Sequence, residues 1–261
     1  MAATAPSRPL LIGIVGDSGS GKTTLSARLT ARLHRERVAP ICLDDYHRYD
    51  RAERRSRGVT ALSPAGNRLD MMAEHLALLR SGAPITKPVY DHRTGTFGAD
   101  ETVVPREIVI ARGLLGLHTE ALVRCFDLAI FLDPDAELRV RWKIARDCAR
   151  RGYSVEEVRA ELLGRRGDAE RYIMPQRERA DLVIGFYPRP GVATEALGMR
   201  VIDRGHGHRG LAAEVLEAAE QVRHAVDAGP FPTEAADTLG ARSAPERVTS
   251  TRRPRRDPTS S

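Results

Sequence analysis

The stretch Gly16-Asp17-Ser18-Gly19-Ser20-Gly21-Lys22-Thr23 decides the fold of this chain. It follows an apolar run from Leu10 to Val15 and precedes a segment with helical periodicity, so it lies where a buried strand turns into a helix. Glycines at such a turn let successive N–H groups face one anion, and the positive end of the following helix points to the same place. The stretch therefore predicts a cradle for nucleotide phosphates, in preference to a glycine-rich turn with an incidental lysine.

The side chains of this loop suit ATP and Mg²⁺. Lys22 can reach the terminal phosphates, and the hydroxyl of Thr23 can ligate the Mg²⁺ that bridges them. We expect the nucleotide to contact the loop and the first turn of the helix, which comprise Gly16, Asp17, Ser18, Gly19, Ser20, Gly21, Lys22, Thr23 and Thr24.

Size and composition are those of an ordinary α/β protein with an anionic ligand. The 261 residues suffice for one large α/β domain, or for a domain with an appendage, and the net charge of +6 suits a sugar phosphate as well as a nucleic acid. Three cysteines without paired spacing argue against a disulfide framework and a structural zinc site. No apolar run has membrane-spanning length and Met1 to Pro9 does not resemble a signal peptide, so we expect no membrane partner and a cytoplasmic location.

A second buried strand, Val38 to Leu43, delivers the sequence Asp44-Asp45-Tyr46-His47 at its carboxyl end. Ligands of parallel sheets bind at this edge, so Asp44 could take the proton of an attacking hydroxyl, although a capping role in a polar turn is equally compatible. The arginine-rich run from Arg48 to Arg57 is read as a solvated loop face, a nucleic-acid contact or a site for a phosphorylated substrate.

Further along, the region from Pro84 to Val104 predicts a hairpin or small lobe that projects from the sheet and carries His92. His92 is either a surface residue or a substrate contact of this lobe. Other predicted elements are a helix over Leu69 to Leu79, strands over Glu107 to Ala111 and Asp127 to Leu132, edge strands over Asp181 to Gly185 and Met199 to Ile202, and a last helix over Gly210 to Val226.

The helix from Asp135 to Arg151 carries Lys143, Arg146 and Arg150 on one face, and a capping box of Ser154 and Glu157 starts another helix after Gly152. This order suits a lid that closes on phosphates, although solvated helices with ion pairs are an equal reading. Lysine occurs only at positions 22, 87 and 143, which marks them as places where an ammonium could be required.

These stretches together resemble the phosphoribulokinase and uridine kinase family of P-loop kinases, and more closely its plant and cyanobacterial phosphoribulokinases. The resemblance runs from about Leu11 to Ile184. The matching stretches are Gly16 to Thr23, Ile41 to His47, Arg57 to Leu62, Lys87 to His92, Trp142 to Asp147, Arg151 to Ser154, Tyr172 to Ile173, Pro175 to Gln176 and Ala180 to Asp181.

The resemblance implies an α/β P-loop kinase with a mostly parallel sheet flanked by helices, a small hairpin lobe and a helical lid. We expect a flexible N-terminus (1–9) and a kinase domain (10–228, lid about 143–178). The Pro-, Thr-, Ser- and Arg-rich composition beyond Gly229 predicts a disordered basic tail (229–261). The implied catalytic residues are Asp44 as the base, Lys22, Arg146 and Asp147, and Thr23 and Asp44 are the expected metal ligands. The implied substrate-binding residues are His47, Arg51, Tyr90, His92, Lys143 and Arg151.

Three features depart from the family. Arg112-Gly113-Leu114-Leu115 stands where the family has Glu-Gly-Leu-His, so the acidic partner of the metal is replaced by Arg112. Either Asp44 or Asp147 then takes over the metal, or catalysis is impaired. Ser20 replaces the loop cysteine of the plant-type redox switch while Cys42 remains, which predicts that this switch is absent. The sequence after Ile184 is shorter than the β-rich carboxyl-terminal part of the plant-type enzymes and closer in length to a uridine kinase.

Three functions follow as hypotheses. The first is ATP-dependent phosphoryl transfer to ribulose 5-phosphate or a related sugar phosphate. The second is a uridine-type nucleoside kinase, and the third is a nucleotide-binding protein whose catalysis is impaired by Arg112. The two kinase hypotheses take a small molecule as partner, whereas the third has a regulatory protein that could contact partners through its basic tail. A nucleic acid is disfavoured, and the sequence leaves a homo-oligomer open.

Overall fold

The computed structural model describes residues 8–189 and 197–225. The strands within them are β1 (Leu10–Val15), β2 (Val38–Cys42), β3 (Ile85–Lys87), β4 (Tyr90–Asp91), β5 (Thr96–Phe97), β6 (Glu101–Val103), β7 (Ile108–Gly113), β8 (Leu128–Leu132), β9 (Leu182–Pro188) and β10 (Leu197–Asp203). The α-helices are α1 (Lys22–Arg32), α2 (Arg51–Ser56), α3 (Leu69–Arg80), α4 (Glu120–Val123), α5 (Ala136–Arg151), α6 (Val155–Gly164), α7 (Arg166–Asp168) and α8 (Arg209–Ala225). The predicted tail (229–261) and most of the predicted flexible N-terminus lie outside the described residues.

The central sheet has the order β10-β9-β8-β1-β7-β2, and every pairing except β9 with β10 is parallel. β1 lies inside the sheet, where Ile12 is in register with Ile110 on one side and Leu128 on the other. Strands covered on both faces read as continuous apolar runs, which is the pattern from Leu10 to Val15. The predicted mostly parallel sheet is therefore confirmed.

Helices cover both faces of this sheet because successive side chains of a strand point to opposite sides. Ile12 packs in a core with Leu25 of α1 and Val215 of α8. Its neighbour Leu11 packs in a second core with Leu76 of α3. The two apolar layers thus pack the sheet between helices.

The carboxyl ends of β1, β2 and β7 meet at one edge, since these strands are parallel neighbours of one sheet. The contact between β7 and the turn after β2 is close. A Cβ at Gly113 would lie 2.6 Å from the Cβ of Leu43 and 3.0 Å from Oδ1 of Asp44, so glycine is required there. This approach places the phosphate loop, Asp44 and Arg112 at the same corner.

The structure contains the predicted small lobe and the predicted break between two helices after α5. Antiparallel pairs of β3 with β6 and β4 with β5 form the small lobe. After α5, Gly152 adopts a φ of 70°, and the side chains and backbone of Ser154 and Glu157 form the expected capping box at the start of α6. The residue range of the lid and its movement stay predictions.

Two sequence interpretations are wrong. The arginine-rich run contains a short helix, α2, which begins with a capping box of Asp50 and Glu53 instead of being a plain loop. The strand over Asp181 to Gly185 is not an edge strand, because β10 pairs with its outer side. Hydrophobic periodicity revealed neither feature. A capping box starts α2, and a strand later in the chain pairs with the outer side of β9.

Candidate active site

The phosphate loop has the backbone that its glycines predict, with φ of 84° at Gly19 and 96° at Gly21. A Cβ at Gly19 would lie 2.8 Å from the Cβ of Lys143, so α5 packs directly against the loop. The ammonium of Lys22 donates to the carbonyl oxygens of Gly16 and Asp17 at 2.8 and 2.9 Å. α5 therefore packs over the phosphate loop, and the carbonyl oxygens of the loop hold the Lys22 ammonium.

Lys22 is buried, and burial lowers its pKa to about 8 against the opposing effect of the Asp44 and Asp17 carboxylates. The lysine is therefore protonated at neutral pH. An ammonium that has lost much of its hydration gains more from a phosphate than an exposed one does.

Asp17 joins the loop to the helices above it. Its Oδ1 accepts from Nη2 of Arg165 at 2.6 Å, and its Oδ2 accepts from Nη1 of Arg139 at 2.7 Å. Burial acts to raise the pKa of Asp17, but the two guanidinium groups outweigh it and hold the pKa below its usual value. The carboxylate is therefore charged and clamps α5 and the residue after α6 onto the loop.

Asp44 lies in the turn that follows β2. Its Oδ1 accepts from the backbone N–H of Leu114 at 2.8 Å. Burial acts to raise its pKa, but the Lys22 ammonium, followed by His92 and His47, lowers the pKa below its usual value. Asp44 is therefore an ionised carboxylate beside the phosphate-loop lysine, which is the state that a proton acceptor requires.

The neighbouring acid, Asp45, binds groups of the small lobe. Its Oδ2 accepts from Nζ of Lys87 at 2.5 Å, and its Oδ1 accepts from the N–H of Tyr90 at 3.1 Å. The lysine is 2% exposed, so the pair is buried. Sequence reasoning missed this pair, although the rarity of lysine was a signal, since Lys22, Lys87 and Lys143 are all buried.

The small lobe brings aromatic and imidazole side chains to the same corner. The rings of His47 and Tyr90 meet edge to face with centroids 4.7 Å apart, and those of Tyr90 and His92 with centroids 5.0 Å apart. Burial lowers the pKa of His47 to about 4 and that of His92 to about 3. Both rings are therefore neutral at pH 7 and can exchange hydrogen bonds with hydroxyl groups.

Arg51 has a structural task that its spacing did not reveal. Its guanidinium donates to the carbonyl oxygens of His92, Arg93 and Thr94, at 2.5 Å for His92. It thereby straps α2 to the turn of the lobe. Its predicted contact with a substrate phosphate stays a prediction, as does the substrate role of Tyr90, whose hydroxyl accepts from Arg54 at 2.7 Å.

Asp147 organises the basic residues of α5. It is fully buried, and Lys143, Arg146 and Arg151 lie 2.6, 2.8 and 3.4 Å from its carboxylate. Burial acts to raise its pKa, but Arg146 and then Arg151 and Lys143 bring the pKa down to about 2. We therefore interpret Asp147 as a residue that positions the arginines; its predicted catalytic role stays untested.

Lys143 is buried as well and also contacts Glu161 of α6 at 3.2 Å, so its predicted substrate contact needs a rearrangement. Arg146 reaches the phosphate loop, where its Nη2 donates to Oγ of Ser18 at 3.1 Å. The basic face of α5 is thus directed partly into a buried network and partly towards the cradle.

Arg112 lies where the predicted metal site would be. Its Nη1 donates to Oγ1 of Thr23 at 3.3 Å, and Thr23 is one of the two expected Mg²⁺ ligands. The other, Asp44, already accepts from Leu114. Mg²⁺ requires oxygen ligands in a compact octahedron, and a guanidinium among them repels the ion. The donor set around Thr23 therefore does not fit Mg²⁺ bound by protein side chains.

A second group of potential ligands lies close by, because ligand atoms of Cys42, Asp45 and His92 are within 4.8 Å of one another. Sulfur and nitrogen ligands do not suit Mg²⁺. Burial raises the pKa of the Cys42 thiol to about 12, so the thiol is protonated at neutral pH. This group therefore does not supply the missing magnesium site.

These residues surround one cleft of about 1280 Å³. The predicted site residues that line it are Ser18, Gly19, Ser20, Gly21, Lys22, Thr23, Thr24, Asp44, His47, Arg51, Tyr90, His92, Arg146 and Arg151. Arg112 and Arg165 line it too. Asp17, Lys143 and Asp147 are buried behind this lining. The volume suits a nucleotide together with a small acceptor.

The fold and the loop define an α/β protein of the P-loop kinase class. The chain also matches the profile of the phosphoribulokinase / uridine kinase family over residues 11–193. The chain belongs to this family.

Two curated relatives illustrate the range of the family. The phosphoribulokinase of Synechocystis sp. is 43% identical over 181 residues, which are 69% of this chain and 54% of the relative. The uridine kinase of Limosilactobacillus reuteri is 30% identical over 208 residues, which are 76% of this chain and 95% of the relative. The chain thus spans about half the length of the curated phosphoribulokinases that it matches.

Among solved structures, the phosphoribulokinase from Rhodobacter spheroides aligns with a TM-score of 0.59 and 23% identity, over 80% of this chain and 85% of that one. At this identity the alignment supports the fold. None of the helices in the described residues has the length and apolar character that a membrane crossing requires.

Proposed function

We propose that this chain is an ATP-dependent kinase that phosphorylates a hydroxyl of ribulose 5-phosphate or a related sugar phosphate. The observation that carries the proposal is the ionised Asp44 beside Lys22 in one cleft with the phosphate loop. The 43% identity to a phosphoribulokinase supports the choice of acceptor, and the family membership supports ATP as the donor.

The proposed reaction uses residues that already point into the cleft. Asp44 accepts the proton of the attacking hydroxyl, the oxygen forms a bond to the γ-phosphorus of ATP, and the bond to the β-phosphate oxygen breaks to release ADP. Lys22 and Arg146 neutralise the charge on the phosphoryl oxygens during this transfer. The cleft walls hold the two substrates in line, which is the main task in phosphoryl transfer.

The rest of the cleft is suited to a phosphorylated polyol. His47 and His92 are neutral, so they can donate to and accept from sugar hydroxyls without attracting a charge themselves. Arg151 lines the same cleft and can pair with a phosphate group. A charged acceptor is therefore favoured over a neutral one.

A uridine-type nucleoside kinase is the second candidate. One observation favours it: the chain spans 95% of the uridine kinase from Limosilactobacillus reuteri but 54% of the phosphoribulokinase from Synechocystis sp.. The third candidate, a nucleotide-binding protein with impaired catalysis, is favoured by the contact of Arg112 with Thr23.

An acceptor screen separates the three candidates. Purified protein is incubated with ATP and Mg²⁺, and ADP release is measured with ribulose 5-phosphate, other pentose and hexose phosphates, uridine and cytidine. We expect release with ribulose 5-phosphate or a related sugar phosphate. Turnover of uridine alone would support the nucleoside kinase, and ATP binding without any acceptor-dependent release would support the impaired protein. Location in the cytoplasm, the absence of a nucleic-acid partner and any homo-oligomer stay predictions.

A further inference from the structure

Arg112 is the residue of the cleft that departs most from the chemistry expected at its position. It lies near the end of β7, where its backbone is in register with Ile14 of β1 and Cys42 of β2. The position therefore faces the middle of the sheet edge, between the phosphate loop and the turn that carries Asp44. Its Nη1 lies 3.3 Å from Oγ1 of Thr23, the hydroxyl at the first turn of α1.

The positive charge of Arg112 affects the ionisation of neighbouring groups in the cleft. It acts to lower the pKa of Lys22, of His92 and of the Cys42 thiol. A second positive charge from a divalent cation at the same hydroxyl would be repelled by this guanidinium. The nearby carboxylates of Asp45 and Asp17 are already paired, with Lys87 and with two arginines. Asp44 therefore faces the charges of both Lys22 and Arg112, and the local balance is cationic before any metal arrives.

We propose that the guanidinium of Arg112 takes the place of the divalent cation at Thr23 and binds the terminal phosphates of the nucleotide directly. A guanidinium is planar and permanently charged, and its forked donors match two phosphate oxygens at once. It therefore supplies the charge and the bridging geometry that a metal supplies elsewhere. The consequence is that this chain binds ATP as the free tetra-anion with nearly the affinity that it has for Mg·ATP. The inference rests on the proposed nucleotide-binding function.

The test measures nucleotide affinity instead of turnover. Titration calorimetry gives the Kd of ATP at fixed ionic strength, in EDTA and in excess Mg²⁺, for the unaltered protein and three variants. Arg112→Glu restores an acid at this position, and Arg112→Gln removes the charge while keeping a polar side chain. Arg209→Glu is the matched control, since it makes the same charge change at an exposed position in the first turn of α8, outside the cleft.

For the unaltered protein and Arg209→Glu we expect the two Kd values to agree within about threefold. Arg112→Glu and Arg112→Gln should weaken binding of metal-free ATP by about tenfold or more, and Arg112→Glu should regain affinity when Mg²⁺ is added. Circular dichroism and thermal melting establish that each variant is folded. If Arg112→Glu does not fold, the Arg112→Gln comparison carries the test.

Binding by the unaltered protein that requires Mg²⁺ would overturn this inference and leave the proposed kinase standing. Metal-free affinity that is the same in Arg112→Gln as in the unaltered protein would also overturn it. Failure to bind ATP in both buffers would overturn the inference and the proposed function together.

Discussion

At the scale of single residues, Asp44 and Asp45 show how adjacent carboxylates acquire different tasks. Both carboxylate oxygens of Asp45 accept hydrogen bonds, from Lys87 and from the backbone N–H of Tyr90, so Asp45 fixes the turn after β2. Asp44 is anchored through Oδ1 by the N–H of Leu114 and kept ionised by Lys22. A proton acceptor needs both an anchor and a charge, and Asp44 has both.

Replacing Asp44 with asparagine tests this assignment. We expect Asp44→Asn to leave the Kd of ATP within about threefold, while kcat with the accepted sugar phosphate falls by about 10² or more, because the amide cannot accept the hydroxyl proton. Asp70→Asn, at an exposed position in the first turn of α3, is the matched control. A kcat that stays within threefold of the unaltered value in Asp44→Asn would remove Asp44 from the role of base.

The sequence predicted Asp44 because strand ends in a parallel sheet converge, which is a property of topology alone. The fate of Arg51 could not be predicted in this way. Whether a guanidinium faces a ligand or binds carbonyl oxygens of its own chain depends on a loop folded from residues about forty positions away. The Asp45–Lys87 pair has the same origin, since its partners also come from separate elements.

At the scale of elements, Asp17 connects the phosphate loop with the helices that cover it. Arg139 comes from α5, and Arg165 follows α6, so two ion pairs on one carboxylate tie three segments together. Both oxygens are engaged, and Asp17 is 6% exposed. A buried charge that loses its partner is costly, because its desolvation is no longer compensated.

Asp17→Asn should therefore lower the free energy of unfolding by about 3 kcal/mol, since Arg165 keeps its charge in a buried place without the carboxylate. Urea denaturation followed by circular dichroism measures the loss. Glu170→Gln removes a partner from the exposed pair of Arg166 with Glu170 in the same segment, and it should leave the denaturation midpoint where it is. Equal midpoints for Asp17→Asn and Glu170→Gln would show that the clamp contributes nothing.

Elements were predictable where one signal of local chemistry decides them. The capping box of Ser154 and Glu157 defines the start of α6 in the sequence and in the structure. The edge strand predicted over Met199 to Ile202 is β10, but the inner position of β9 was not predictable from periodicity, because an antiparallel partner changes which strand is the edge without changing the apolar pattern of β9. Helix boundaries are local, whereas strand order is a property of the assembled sheet.

At the scale of the whole molecule, the site is assembled from segments distant in the chain, and its groups are coupled to folding. Burial depresses the pKa of His47 to about 4 and of His92 to about 3, and it also lowers the pKa of His75 and of His118. Each of these rings is harder to protonate in the folded state than in the unfolded chain. Below the unfolded pKa of about 6.5 the unfolded state therefore binds more protons than the folded state, and the stability of the fold decreases as the pH is lowered.

The stability of the protein should thus decrease as the pH falls from about 6.5 towards 4, with His47 and His92 contributing on the order of 1 to 2 kcal/mol each at pH 5. The loss is complete only below the folded pKa values. Asp147, whose pKa is held at about 2 in the folded protein, starts to add to the loss below about pH 5, because its carboxyl takes up a proton in the unfolded chain first. Urea denaturation at pH 7.5, 6, 5 and 4.5 measures the slope.

The double variant His47→Gln with His92→Gln removes both titrating rings and should flatten the slope, whereas the exposed His206→Gln should leave it unchanged. A slope in the double variant equal to that of the unaltered protein would show that these rings are protonated as easily in the folded state as in the unfolded one, and that the neutral pair proposed for the acceptor site does not exist.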